Sequence, residues 1–185
     1  MGKIELGEHM NIDKIQLDKN NVENKSSSIE TIVQSVISKY TTDLDSLVYE
    51  IDSKVREQEL DGLTDQELES YCLKLSSFMY FSAAGQELIG LREAIANALN
   101  KEDYNNSYES ATGTIADKKA KAELESQSSM LVGIIYDRAE KMMGSKLTYA
   151  THLLGSIKRV LNRRIEQIKL NPPVVKYTDN SIPRG

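Results

Sequence analysis

The position of its prolines constrains this chain most. All three lie near the C-terminus, at Pro172, Pro173 and Pro183. Proline removes a backbone donor and clashes with the preceding helical turn. Nothing before residue 172 therefore carries the strongest helix breaker. A stretch so long, with apolar residues at three- and four-residue steps, predicts an all-α fold. Aromatics are scarce, with nine Tyr, two Phe and no Trp. That is thin for a thick globular core. It suits an elongated body in which Leu, Ile, Ala and Met fill a narrow seam.

The weaker punctuation divides the chain. Residues 1–27 are polar and rich in Asn, Lys and Asp, which predicts a flexible N-terminal arm. Ser28 is a candidate cap for a short helix to about Tyr40, with Ile32, Val33, Val36 and Ile37 on one face. Thr41-Thr42 predicts a break. A second acidic segment, with Asp43, Asp45, Glu50, Asp52, Glu57 and Glu59, runs to about Leu60. Residues 28–62 thus form a region of short acidic helices.

Asp61-Gly62 signals a turn, and Thr64 lies three before Glu67, the spacing of a capping box. From there helix formers continue to about Ser110. Leu68, Cys72, Leu75 and Met79 share one face. Leu88, Leu91, Ile95 and Ala98 resume after a phase shift around Ala83-Ala84-Gly85, which predicts a kink or a change of packing partner. Gly113 ends this helix; Thr114 and Asp117 start the next. The second rod carries a near-heptad seam of Leu147, Ala150, Leu154, Ile157 and Leu161, then Ile165 and Ile168. Gly133, Gly144 and Gly155 recur every eleven residues, a candidate site of close helix approach. The two rods would be roughly 70 and 85 Å long. Their short linker predicts a long antiparallel, coiled-coil-like hairpin over residues 63–170, and residues 171–185 read as an extended tail. Such rods leave apolar edges for other copies of the chain to cover, so a homo-oligomer is expected.

The chemistry-bearing residues are few. The single Cys72 forms no internal disulfide and falls in an apolar seam. The two histidines, His9 and His152, belong to no zinc or di-iron spacing, and no Gly-Lys-Ser/Thr phosphate loop occurs. No paired carboxylates suggest a general acid and base. The expectation is a protein that is not an enzyme, with no cofactor and no metal. No apolar run reaches the length of a membrane span and no leader-like stretch opens the chain, so a cytoplasmic protein without membrane contact is expected.

Charge is unevenly distributed. Residues 126–185 carry ten Lys/Arg against four Asp/Glu, whereas residues 1–125 carry 13 against 24. Lys158, Arg159, Arg163, Arg164 and Lys169 flank the terminal seam. Lys118, Lys119 and Lys121 open the same rod, near Lys101, Tyr104 and Tyr108 at the hairpin tip. Basic side chains contact phosphates, and tyrosines stack on unpaired bases. The nucleic-acid-binding candidates are therefore Lys101, Tyr104, Lys118, Lys119, Lys121, Lys158, Arg159, Arg163 and Arg164. The bland alternative for both clusters is a solubilising face.

Three stretches together carry a resemblance. They are residues 97–108 (Asn-Ala-Leu-Asn-Lys-Glu-Asp-Tyr-Asn-Asn-Ser-Tyr), residues 113–126 (from Gly113-Thr114-Ile115 to Ser126) and the basic terminal helix. They resemble the UvsY-type recombination mediators of tailed phages, over about residues 65–170. The resemblance implies a helical homo-oligomeric ring that binds single-stranded DNA. It implies as partners a RecA-like recombinase and single-strand-binding protein. In that family basic residues before the tip tyrosines matter for DNA binding. Here Lys101 holds such a place, but Glu102 and Asp103 follow it. The alternative is a structural or adaptor component of a phage particle or other helical assembly, placed in the host cytoplasm or the virion. A third reading is a helical inhibitor whose acidic residues 43–69 imitate nucleic acid.

Overall fold

The structure, a computed structural model, describes residues 5–171, with side chains from residue 19 onward. The tail expected at the C-terminus lies outside the described residues from Pro172. Four helices follow in order: α1 (Glu5–Gly62), α2 (Asp65–Ser110), α3 (Ile115–Glu125) and α4 (Gln127–Leu170). No strand occurs among the described residues, and the fold is all-α.

Side-chain pairs fix how the helices lie. Tyr40 meets Ser82, Glu50 meets Tyr71 and Lys54 meets Glu67, so α2 returns antiparallel to α1. Asp45 meets Lys146, Asp52 meets Tyr149 and Asp61 meets Arg163, so α4 runs parallel to α1. Gln86 reaches Glu140 and Ser129 reaches Asn100, so α4 is antiparallel to α2. The result is an up-down-up arrangement of three long helices.

A common period holds them. On α2, Leu68, Leu75, Ser82, Ile89 and Ala96 are buried at every seventh position. Ile37, Leu44 and Ile51 do the same on α1, and Met143, Ala150 and Ile157 on α4. Seven residues are close to two helical turns, so each series stays on one face. Two core clusters result. One joins Leu44, Ile51, Leu68, Leu75 and Ile157 near the α1–α2 turn; the other joins Val33, Ile37, Ile89, Ala139 and Met143 further along.

The caps are as the sequence predicts. Thr64 and Glu67 form a reciprocal capping box at the start of α2, and Thr114 and Asp117 form another at α3. Gly113 adopts a φ of 114°, a conformation that suits glycine in the turn between the two.

Four expectations are corrected. Thr41-Thr42 does not break the chain. Thr41 is buried, its hydroxyl donating to Asp45 Oδ2 at 2.8 Å, and Thr42 donates to the Ser38 carbonyl at 2.5 Å. With both hydroxyls satisfied locally, packing overrides weak β-branched propensity. Ser28 does not cap a helix, because α1 already begins at Glu5, inside the segment read as an arm. Its hydroxyl instead donates to the Asn24 carbonyl, and Thr31 donates to that of Ser27. A docked helix extends cheaply, since each added residue gains one bond without new nucleation. The discontinuity of α1 falls at Glu59, whose φ of 58° and ψ of 167° are non-helical, so its last turn is offset. That conformation is strained for a residue with a Cβ.

The second rod is not single. Ser126, buried between Glu125 and Gln127, interrupts it (φ −84°, ψ −2°), separating α3 from α4. The Met130 N–H still reaches the Ser126 carbonyl at 3.0 Å, so the direction is kept. Nor is there a phase shift at Ala83-Ala84-Gly85. The core register passes unbroken through Ser82, Gly85 and Ile89. Leu88, Leu91 and Ile95 instead form a second, exposed apolar stripe on another side of the same helix.

Gly85 explains why the seam stays close there. A Cβ on Gly85 would lie 2.4 Å from the Tyr40 ring, while Ser82 donates to the Tyr40 carbonyl at 2.8 Å. The three evenly spaced glycines of α4 do not act alike. A Cβ on Gly133 would come 2.8 Å from Asn97 Oδ1 and one on Gly144 3.2 Å from Gln86 Nε2, but one on Gly155 would meet nothing within 4 Å.

Gly85→Ala should lower stability by about 1–3 kcal/mol through overpacking against Tyr40. Gly155→Ala should raise it by about 0.5–1 kcal/mol through reduced freedom of the unfolded chain. Urea titration of both variants checks the contrast, and equal effects would remove the Tyr40 explanation.

Candidate functional site

The basic candidates separate into two groups at opposite ends of the hairpin. Lys158, Arg159, Arg163 and Arg164 lie on α4 beside the α1–α2 turn. Lys101 and Tyr104 on α2, with Lys118, Lys119 and Lys121 on α3, lie at the tip. From the start of α4 at Gln127 to Lys158 the helix runs roughly 47 Å. Within one chain they do not form one surface.

The first group is largely occupied by intramolecular partners. Arg163 pairs with Asp61. Arg164 donates to Asp65 Oδ1 at 2.5 Å and to the Asp61 carbonyl at 2.8 Å. These contacts clasp α4 onto the turn that Gly62 and Thr64 bracket. Arg159 donates back to the Gly155 carbonyl at 3.3 Å and to Ser156 Oγ at 3.4 Å. Lys158 is exposed. Beyond the clasp α4 overshoots its neighbours, so Ile165 and Ile168, expected in the seam, are exposed.

The tip holds more of the expected arrangement. Tyr104 and Tyr108 stack nearly parallel with ring centroids 6.4 Å apart. The Lys118 ammonium lies 5.9 Å above the Tyr108 ring. One turn separates the tyrosines on α2, and the capped start of α3 brings Lys118 back across them. Lys119 and Lys101 are exposed, while Lys121 faces Glu125 at 3.7 Å. Asp117 adds a carboxylate nearby, held below its ordinary range by the Thr114 hydroxyl and N–H.

Reactive groups are quiet. Cys72 is half-buried beside the first core cluster, and burial pushes its thiol up, away from the thiolate. His152 is exposed. Among the described residues no group of His, Cys, Asp or Glu is arranged to hold a metal ion. No helix among them is long and apolar enough to cross a membrane.

Besides Asp117, two carboxylates depart from ordinary behaviour, in opposite senses. Glu67 receives the Lys54 ammonium at 2.8 Å and the Thr64 N–H at 3.0 Å, which hold its pKa down to about 2. Glu140, against Gly90 on α2, is pushed up, first by the proton it can share with Glu93 and then by desolvation. A depressed carboxylate stabilises above its unfolded pKa; a raised one stabilises below it.

Sequence reasoning expected uncovered apolar edges on the rods but did not place the one that dominates the outer surface. Tyr80 (73% exposed), Phe81, Leu88, Leu91 (58%), Ile95 and Leu99 project from α2 away from its core face. Beside them, Arg92, Ile95, Ala96, Leu99, Ser129, Val132 and Tyr136 line an open groove between α2 and α4. The signal was present as apolar residues on two faces of one helix, but it reads equally well as a kink. Comparison with family models, curated proteins and solved structures finds no match for this chain.

The Glu67 pair should contribute stability at neutral pH, lost as pH falls from about 4.5 through about 2. The melting temperature of Glu67→Gln should lie below that of the parent at pH 7, and the gap should narrow as pH falls below about 4.5 and close only below about 2. A gap independent of pH would assign it to packing instead of charge.

Proposed function

We propose that this chain is a non-catalytic helical adaptor, a component of a larger assembly that docks through the outer face of α2. The carrying observation is the exposed apolar stripe from Tyr80 to Leu99. Contiguous exposed apolar surface of this length marks interaction sites in folded proteins. Several supports are electrostatic. The Arg163 and Arg164 side chains, which would otherwise favour an anionic partner, are engaged by Asp61 and Asp65. The stripe itself carries no charge between Tyr80 and Ala84, nor at Leu88, Leu91, Ile95 or Leu99.

A photo-crosslinking amino acid at Leu91, introduced in the cell that makes the protein, tests this. A discrete crosslinked product is expected, whether with a foreign chain or with a second copy. The same probe at the exposed, non-stripe position Lys74 should give none. No product from Leu91 would remove the adaptor reading.

A second reading, single-stranded nucleic-acid binding at the hairpin tip, is favoured by one observation: Tyr104, Tyr108 and Lys118 are gathered there. It would fit a recombination mediator that loads a RecA-like recombinase onto strands held by single-strand-binding protein. Stacking is worth about 1–3 kcal/mol per base, so Tyr104→Ala should weaken binding of labelled oligo-dT by roughly 5- to 150-fold in anisotropy at low salt. Absence of binding by the parent chain at micromolar concentration would remove this reading.

A further inference from the structure

The spacing of the outer stripe specifies its occupant. Along α2 the stripe positions are Ser77, Tyr80, Ala84, Leu88, Leu91, Ile95, Leu99 and Glu102. Their steps are three, four, four, three, four, four, three. This is an eleven-residue period, close to the natural pitch of a straight helix, so the line does not drift around α2. The buried face of the same helix follows sevens, from Leu68 to Ala96. The two faces therefore obey different periods and are built for different neighbours.

The order of the steps is also the same in both directions. It is symmetric about the midpoint between Ile89 and Gly90. Turning one copy end for end places Leu88 opposite Leu91, Ala84 opposite Ile95, and Tyr80 opposite Leu99. At the outer pair, Ser77 meets Glu102. Phe81 then faces Ala98, so large side chains meet small ones. Parallel alignment would instead set Tyr80 on Tyr80 and Phe81 on Phe81, with Ala84 on Ala84 leaving a gap. We propose that the occupant of this face is a second copy of the chain, bound antiparallel α2 to α2 about a two-fold axis at residues 89–90. This rests on the adaptor reading and names its partner.

The size fits. From Ser77 to Glu102 the contact would run about 38 Å along the helix, at 1.5 Å per residue. The six large apolar side chains from Tyr80 to Leu99 are about half or more exposed, on the order of 600 Å² per copy, approaching the 800 Å² per partner of stable complexes. A closed two-fold contact uses the same patch on both subunits, and this patch is complementary to itself. The neighbouring groove lined by Ile95, Leu99 and Val132 lies along the same edge, so the partner's side chains at that end have a seat. An oppositely running helix also sets unlike helix ends side by side.

The experiment has two arms on the full chain. Sedimentation at tens of micromolar should give twice the mass of one chain. Leu88→Glu with Leu91→Glu places like charges face to face at the axis and should return the monomer. Both residues are exposed in the single chain, so helicity of that monomer should be unchanged, and its melting should fall only by what the lost dimer contact contributed. In a Cys72→Ala background, chains with Ala84→Cys mixed with chains with Ile95→Cys should form a disulfide-linked pair on oxidation, while neither alone should. A link between two Ala84→Cys chains would overturn the antiparallel order. A parent chain that is monomeric at these concentrations would overturn the second copy. If the Leu91 photoprobe then still labels a foreign chain, the adaptor reading survives without it; if it labels nothing, both fall.

Discussion

The structure depends on one constraint: α2 is apolar on two faces, and among the described residues only one of them is covered. The inward face is fixed by the heptad series from Leu68 to Ala96, against which α1 and α4 pack. A helix apolar on more than one side gains stability in water when both sides are buried. Three helices of this length share two modest clusters, and the side chains in them are mostly aliphatic. The body is therefore narrow, and whatever covers the second face adds a large share of its buried area.

Specific polar contacts set the register of the narrow body. Aliphatic ridges alone tolerate sliding by a turn, because one heptad looks much like the next. The Ser82 hydroxyl on the Tyr40 carbonyl, the Tyr40 ring over Gly85, and Lys54 on Glu67 each tie a particular residue of α1 to a particular residue of α2. Tyr71, whose hydroxyl donates to Glu50 at 2.9 Å, is raised in pKa by burial, which keeps that donor protonated. At the base, Arg164 does two tasks: it satisfies the Asp61 carbonyl at a helix end and pairs with Asp65. Part of the basic charge suited to an anionic partner is thereby paired within the chain.

The uneven charge along the sequence thus has a largely internal meaning near the base. The acidic segment of α1 and the basic part of α4 run parallel, side by side. Asp45 receives Lys146, Asp52 accepts from the Tyr149 hydroxyl, and Asp61 receives Arg163. At the tip, where α1 no longer accompanies the hairpin core, Lys101 and Lys119 remain exposed. The tip is where charge is left for a partner, and the α2 stripe is where apolar surface is left.

Much of the fold was legible in the sequence because it rests on local rules. The absence of proline before residue 172, the Thr64 and Thr114 caps and the Gly113 turn each act within a few residues, and each appears where its spacing put it. The tip cluster was legible for the same reason: a short linker must bring Lys118 back to Tyr108. Three things were decided only by tertiary structure. Thr41 stays helical because its face is buried and its hydroxyl is satisfied by Asp45. Arg163 and Arg164 become structural because α1 and α2 turn beside them. The apolar residues after Gly85 form an outward stripe and not a kinked seam, because Tyr40 of another helix sits on Gly85 and holds the inward register. Sequence determines which residues share a helical face; only the packing of distant segments determines which of two apolar faces is turned toward the core.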